Sequence, residues 1–463
     1  MERKRIYLCL AHMSEAGKEQ EYIKEAFETN WVVPLGPNVD GFEKDLEEFV
    51  AYPQPLPEGK GDKRRVVALS SGTAAVHLAL LNCGVGPGDE VIVQSFTFCA
   101  STHPVTYLGA TPVLVDSEPD TWNMDPELLE EAIKDRIAKT GKAPKAIVPV
   151  ALYGMSYKID RIMEIANKYG IPVVEDAAEG FGSKYKGQVL GTFGKFGVLS
   201  FNGNKMITTS GGGALICNGS PSEEADAQWR EIMMYATQYR ESYPYYQHEK
   251  IGYNYRMSNI CAGIGRGQMT VVKDHLAHHK HVQALYEELL KDVAGIHVHS
   301  QPSRISELEN IPVYDSNYWL CTITIDENVR VRGQENAYHQ VVTGAVGGAA
   351  GVIHAAENAH TDCEPNANVE AMRMGLDALN IESRPLWKPM HKQPVYRRGE
   401  IQVSRFKIQE QEILCETSAT SVAYVNGVSE SLFKVGMCLP AGPYVTDDDV
   451  HYICDAIKSM ILG

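Results

Sequence analysis

The chain has 463 residues, 44% of them hydrophobic and 22% charged, enough to bury one large core with a smaller unit beside it. Lys and Arg total 43 against 59 Asp and Glu, a formal net charge of −16, so no nucleic acid partner is expected, because a phosphate backbone would meet an opposing field. The cysteines are scattered and never form CxxC, which argues against a disulfide scaffold or zinc ribbon, and the longest uncharged Gly/Ala/Val run, residues 341–356, is short of the roughly 20 residues that span a membrane.

At the start, the uncharged run 6–14 follows basic residues but breaks at Glu15 without a small-residue cleavage site, so the chain is expected to stay in the cytoplasm. From 30 to 270, short β-rich runs alternate with helical patterns, which predicts a large α/β domain whose mostly parallel sheet is covered on both faces. The strands are expected at 66–69, 91–93, 112–115, 146–152, 171–174, 197–201 and 214–217, and helices at 73–83, 126–139 and 159–169. A long polar helix at 269–293 marks a change of pattern. Sparser strands near 319–325 and a terminal helix after Asp447 predict a smaller α+β C-terminal domain over 271–463, with residues 1–29 packing against it. Residues 328–370 carry little amphipathic rhythm and read as a functional loop, lid or insertion.

Several short segments fall at predicted strand ends, where α/β proteins collect ligand groups. Leu69-Ser70-Ser71-Gly72-Thr73 opens a helix and suits a phosphate, or serves as an ordinary N-cap. Phe98, in Gln94-Ser95-Phe96-Thr97-Phe98, could stack on a flat ring or belong to the core. Glu175-Asp176-Ala177-Ala178-Glu179 places carboxylates beyond a buried strand, as helix caps or as counter-ions to a protonated heterocycle. Lys205 stands among apolar and small residues in Leu199-Ser200-Phe201-Asn202-Gly203-Asn204-Lys205-Met206, where loss of hydration can make an amine nucleophilic. The alternative is a surface lysine with a packed stem. Together a phosphate cup, a stacking ring, a carboxylate and a reactive lysine are the parts of a pyridoxal phosphate site.

The order and wording of these segments resemble the fold-type-I pyridoxal phosphate enzymes of the DegT/DnrJ/StrS family, the nucleotide-sugar aminotransferases. The resemblance runs from Ile6 to about Ile325, resumes at about Ala371, and includes Asn30-Trp31-Val32-Val33-Pro34-Leu35-Gly36-Pro37, Gly252-Tyr253-Asn254-Tyr255-Arg256-Met257-Ser258-Asn259, the run from Glu382 to His391, and Gly436-Met437-Cys438-Leu439-Pro440. Within the family it is closest to enzymes that aminate C4 of UDP-2-acetamido-2,6-dideoxy-4-ketohexoses, of the bacillosamine and exopolysaccharide type. The resemblance implies a mixed, mostly parallel sheet between helices and pyridoxal 5'-phosphate as cofactor. Lys205 would hold the cofactor covalently and move protons, Asp176 would pair with the pyridine nitrogen, and Phe98 would stack on the ring. Glu179 would lie near the phenolic oxygen, where many relatives have Gln or His. Gly72, Thr73 and Ser200, with Asn202, would hold the phosphate. Asn254 would reach the phosphate of the neighbouring subunit in a homodimer with shared active sites. L-glutamate would donate the amine and the nucleotide-linked keto sugar would accept it, in ping-pong order.

Segments 328–370 and 397–422 are longer than the family pattern and read as insertions flanking the sugar site. Arg384, Trp387 and His391 are candidate sugar or nucleotide contacts, a structural loop being the alternative. His275 and His279 stand one helical turn apart, a spacing that can bind a metal, but no further ligand set accompanies them, so a solvated helix face is expected and no metal. Tyr246 and Lys250 match the bare YxxxK spacing of sugar dehydratases by chance, since no glycine fingerprint follows an early strand. Two other functions share the fold: a dehydratase using pyridoxamine phosphate, which carries His where this chain has Lys205, and a non-catalytic regulator or sensor. Lys205 argues against the first, and the set Phe98, Asp176, Ser200 and Lys205 against the second.

Overall fold

The apolar runs become strands buried along most of their length, as in a sheet covered by helices on both sides. The computed structural model describes residues 4–51, 64–219, 222–305, 311–337, 363–399, 401–408 and 411–462. Arg65–Leu69 pairs antiparallel with Gly213–Cys217, which pairs antiparallel with Phe196–Ser200. Pairing then runs parallel from Phe196–Ser200 to Val174–Asp176, and single bridges carry it to Ala146–Val148. Glu90–Gln94 and Thr111–Val115 follow, also parallel. The sheet is mixed and mostly parallel, as expected. Leu69, Gln94, Asp176 and Ser200 therefore end on one edge, the place where such sheets bind ligands.

Local chemistry sets the helix ends. Gly72–Asn82 starts from Ser71, whose hydroxyl accepts the Ala74 N–H at 3.0 Å. Pro126–Thr140 starts from the Asp125 carboxylate and stops at Gly141 in the left-handed conformation. The strand expected over 146–152 ends at Val148, because the chain turns through a tight helical turn at Leu152–Gly154.

Other elements depart from the sequence reading. Two helices stand here: Asn259–Met269, which the sequence reading did not mark, and then Val272–Leu290, the helix expected over 269–293. Ser258 caps the first at its Cys261 N–H, and the Thr270 hydroxyl donates to the Gly267 carbonyl and closes it. The face carrying His275 and His279 is buried, not solvated. The N-terminal segment is divided: Ile6 bridges Ile381 among the C-terminal elements, whereas helix Lys18–Glu28 packs on Asn259–Met269.

In the C-terminal region, Cys321–Ile325 is flanked by Ile296–Val298 and Gly436–Leu439, all antiparallel, with Arg384–Pro385 beyond. Helices Ala367–Ala378 and Asp447–Met460 join Val272–Leu290 around an apolar core that includes Ile323, Met372 and Ile453. Within segment 397–422, Gln402–Ile408 pairs antiparallel with Gln411–Thr417, which pairs antiparallel with Val422–Val425; that strand pairs parallel with Thr111–Val115 and so extends the large sheet. Of segment 328–370, the part 338–362 lies outside the described residues, as does the Gly/Ala-rich run; Arg330–Val331 pairs with Ile461–Leu462. No described helix is long and apolar enough to cross a membrane.

Candidate active site

A cavity of about 700 Å³ opens at the carboxyl edge of the large sheet, a size suited to a small-molecule ligand. Asp176 ends its strand at the cavity and is 5% exposed. Its Oδ2 accepts the Ser101 hydroxyl at 2.7 Å and its Oδ1 the Ala178 N–H at 3.1 Å. Burial raises the carboxyl above its ordinary value, and those two hydrogen bonds and the charge of Lys205 act against the rise. Strand alternation turns the neighbouring Glu175 to the opposite face, where the N–H groups of Gly191, Phe193 and Gly194 hold it.

Lys205 Nζ lies 3.2 Å from Glu179 Oε1 and 3.8 Å from the centre of the Trp319 ring. Glu179 is buried, which raises its carboxyl, while Lys205 and the Tyr153 N–H, 2.8 Å from Oε2, oppose that. The lysine loop is itself braced. His275 Nδ1 lies 3.3 Å from the Met206 carbonyl and His279 Nδ1 3.1 Å from the Tyr318 carbonyl. The histidine pair therefore holds the two loops that carry Lys205 and Trp319, and burial keeps both rings toward the neutral form. Cys9 also lines the cavity, its thiol pushed up to about 12 by burial, so it is not a nucleophile at neutral pH.

Opposite the acids, Gly72, Thr73 and Ser200 line the cavity at the start of helix Gly72–Asn82. The N–H groups of a first helical turn have no intrahelical acceptor and favour an anion. A Cβ on Gly213 would collide with Gly72 N, and one on Gly72 would lie 3.1 Å from Ser200 Cβ, so glycine alone lets helix and strand meet there. Phe98 is 50% exposed while Phe96, two residues earlier, is fully buried. Its uncovered ring beside an acid, an amine and an N–H cradle fits pyridoxal phosphate.

The structure thus brings Phe98, Asp176, Glu179, Asn202 and Lys205 to one cavity with the Gly72, Thr73 and Ser200 cradle. Arg384 and Trp387 line it too, Arg384 paired with Glu382 at 3.0 Å. His391 does not line it. The ring is buried, with Nδ1 2.7 Å from the Ser95 hydroxyl, because the Met390 and His391 N–H groups pin this turn to Ser95. Asn254 is exposed and bridges Thr237, away from the cavity wall. Trp319, Ser101, Glu382 and Lys388 also reach the cavity; Glu382 and Lys388 fall in a run that resembles the family but were not singled out, and Trp319 and Ser101 carried no signal beyond their residue types.

A buried acid and a lysine amine sharing a cavity with a helix N-terminus mark a pyridoxal phosphate-dependent enzyme. Residues 13–347 match the DegT/DnrJ/EryC1/StrS aminotransferase family. EpsN of Bacillus subtilis (strain 168), named for a pyridoxal phosphate-dependent aminotransferase, is 38% identical over 457 residues, covering 98% of this chain and 95% of that one. The GDP-perosamine synthase of Escherichia coli O157:H7 is 30% identical over 452 residues, 98% of each chain. The crystal structure of a DegT/DnrJ/EryC1/StrS aminotransferase from Brucella abortus aligns with a TM-score of 0.71 at 26% identity, over 96% of this chain and 95% of that one. The chain belongs to the DegT/DnrJ/EryC1/StrS aminotransferase family and is a sugar aminotransferase dependent on pyridoxal phosphate.

Proposed function

We propose that this enzyme transfers the amino group of L-glutamate to C4 of a nucleotide-linked 4-keto-6-deoxy sugar, with UDP-2-acetamido-2,6-dideoxy-4-ketohexose as acceptor. The observation that carries the reading is the placement of Lys205 between Glu179 and Trp319 in the cavity that Asp176 closes and that Arg384 and Trp387 wall. Pyridoxal phosphate, when bound, supplies the electron sink. Gly72, Thr73 and Ser200, with Asn202, hold its phosphate, and Phe98 covers its ring. Asp176, oriented by Ser101, holds the positive charge of the ring nitrogen. Lys205 Nζ takes the α proton of glutamate and later delivers a proton to the sugar C4. Glu179 orients that amine.

The reading includes a cytoplasmic homodimer in which exposed Asn254 of one protomer completes the phosphate site of its partner. It also keeps the division into a segment 1–29, a cofactor domain 30–270 and a C-terminal domain 271–463. An absorbance spectrum of the purified enzyme tests the chemistry. L-glutamate is expected to bleach the visible band of the bound cofactor, and the UDP-linked keto sugar to restore it. Bleaching without return would keep the amino donor and reject this sugar, and a GDP-linked keto sugar is then the acceptor to offer, given the likeness to GDP-perosamine synthases. No visible band after added pyridoxal phosphate would overturn the role of Lys205.

A further inference from the structure

We propose that Tyr153 is a positioning residue that couples the acid and lysine wall of the cavity to the opposite wall at residues 384–388, setting the pose of Trp387. The proposal rests on the reading that this second wall faces the nucleotide sugar. Tyr153 is 3% exposed and does not line the cavity, so it acts through others. Its backbone N–H donates to Glu179 Oε2 at 2.8 Å, and its hydroxyl accepts the Trp387 backbone N–H at 2.8 Å. One residue thus holds the carboxylate that meets Lys205 and, by its other end, the aromatic wall.

The backbone geometry is unusual enough to need a cause. Tyr153 sits at φ 54°, a region that bulky side chains avoid. The next residue, Gly154, has φ 93°, and a Cβ there would collide with Asn317 Oδ1. The Ser183 and Ser316 hydroxyls both donate to the Gly154 carbonyl, at 2.7 and 2.8 Å. The same Asn317 donates to the Glu179 carbonyl and accepts the Trp319 N–H. The turn is therefore fastened to both groups that enclose the Lys205 amine.

The Trp387 ring packs against the large core. Its indole Nε1 is buried with no acceptor among the described residues, so no polar bond holds the ring itself; the Tyr153 hydroxyl holds its backbone, and the near-parallel Tyr153 ring, 6.1 Å between centres at 22°, lies against it. Phe98 lies 5.6 Å from it, and the space between those two aromatics is where a shift of Trp387 would be felt.

Tyr153→Phe keeps the ring and the N–H to Glu179 and removes the hydroxyl, which accepts the Trp387 N–H and also faces Cys438. In the holoenzyme the KM for the UDP-linked keto sugar is expected to rise about tenfold, since a buried N–H loses its partner, while the rate of the glutamate half-reaction shifts by less than about threefold. Trp387→Ala removes the ring whose pose is set, so it should raise the same KM, and the double variant should be no worse than Trp387→Ala alone. Additive effects, or a loss shared equally by both half-reactions, would overturn the coupling. A second readout needs no turnover: acrylamide quenching of Trp387 emission in the full-length cofactor-free protein, taken as the difference from the matching Trp387→Phe protein. Greater quenching in Tyr153→Phe supports the coupling and equal quenching rejects it. If the wild type uses no nucleotide sugar, the substrate reading fails, and the quenching result alone decides the role of Tyr153.

Discussion

Asp176 carries the sharpest test at the scale of single residues, because burial raises its carboxyl in the folded protein against the Ser101 and Ala178 bonds and Lys205. A raised acid holds its proton more tightly when folded, so its stability contribution is complete below the ordinary carboxylate value and is lost as pH rises through the raised one. In cofactor-free protein, Asp176→Asn should therefore be more stable than wild type by about 1 kcal/mol at pH 8. Denaturant melts should show the gap closing as pH falls toward about 4, and holoenzyme turnover should drop at every pH. Lys205→Ala should abolish both turnover and the covalent attachment of pyridoxal phosphate. Mass spectrometry after borohydride reduction checks this, the wild type gaining the cofactor mass and the variant not, with circular dichroism of the two unchanged. The placement of Asp176 and Lys205 at the cavity was legible because each stands in a run whose neighbours already suggest a strand end. Trp319 was not, since its partner Lys205 is more than a hundred positions away and an isolated tryptophan reads as core.

At the scale of elements, the contact of strand Gly213–Cys217 with the start of helix Gly72–Asn82 matters most. Gly213→Ala would force the first turn away from Ser200, at a cost on the order of 1–3 kcal/mol for a crowded site. The expected outcome is a pyridoxal phosphate affinity about tenfold weaker or worse, read by titrating cofactor-free protein at the visible band, with Ser71→Ala giving a smaller loss through its cap. This contact was not legible in the sequence, because the helix start lies far from Gly213 in the chain. Helix Asn259–Met269 was not marked in the sequence, because Gly263, Gly265 and Gly267 weaken its helical signal. The buried faces of His275 and His279 reverse the solvated reading, since polar residues count as exposed in a periodicity argument unless a backbone carbonyl is known to wait for them.

For the whole molecule, the homodimer reading makes a prediction that no single variant can. Lys205→Ala and Asn254→Ala should each be inactive or weak alone. Mixed and reassembled, they should recover about a quarter of wild-type activity, because a two-fold dimer that shares its sites places both lesions in one site and leaves the other intact. No recovery, with exchange of protomers verified by native mass spectrometry, would confine each site to one chain. The strand pair Gln402–Ile408 and Gln411–Thr417 belongs to this scale as well. It read as an insertion near the sugar site, and folding instead attaches it through Val422–Val425 to the far edge of the large sheet, while Arg397 Nη1, 3.4 Å from the His391 carbonyl, ties it to the turn behind the cavity wall.

The sequence by itself determined the alternation of strands and helices and the residues at each carboxyl end. That was enough to place Asp176, Ser200 and the Gly72 cradle on one edge, since parallel strands joined by right-handed crossovers all end on the same side. Only the tertiary structure decided which side chains meet across that edge: Glu179 with Lys205, Tyr153 with Trp387, and the paired histidines behind them. These pairs are long-range, and their members leave no local trace, because a hydrogen bond between distant residues shapes neither partner's propensity nor its periodicity.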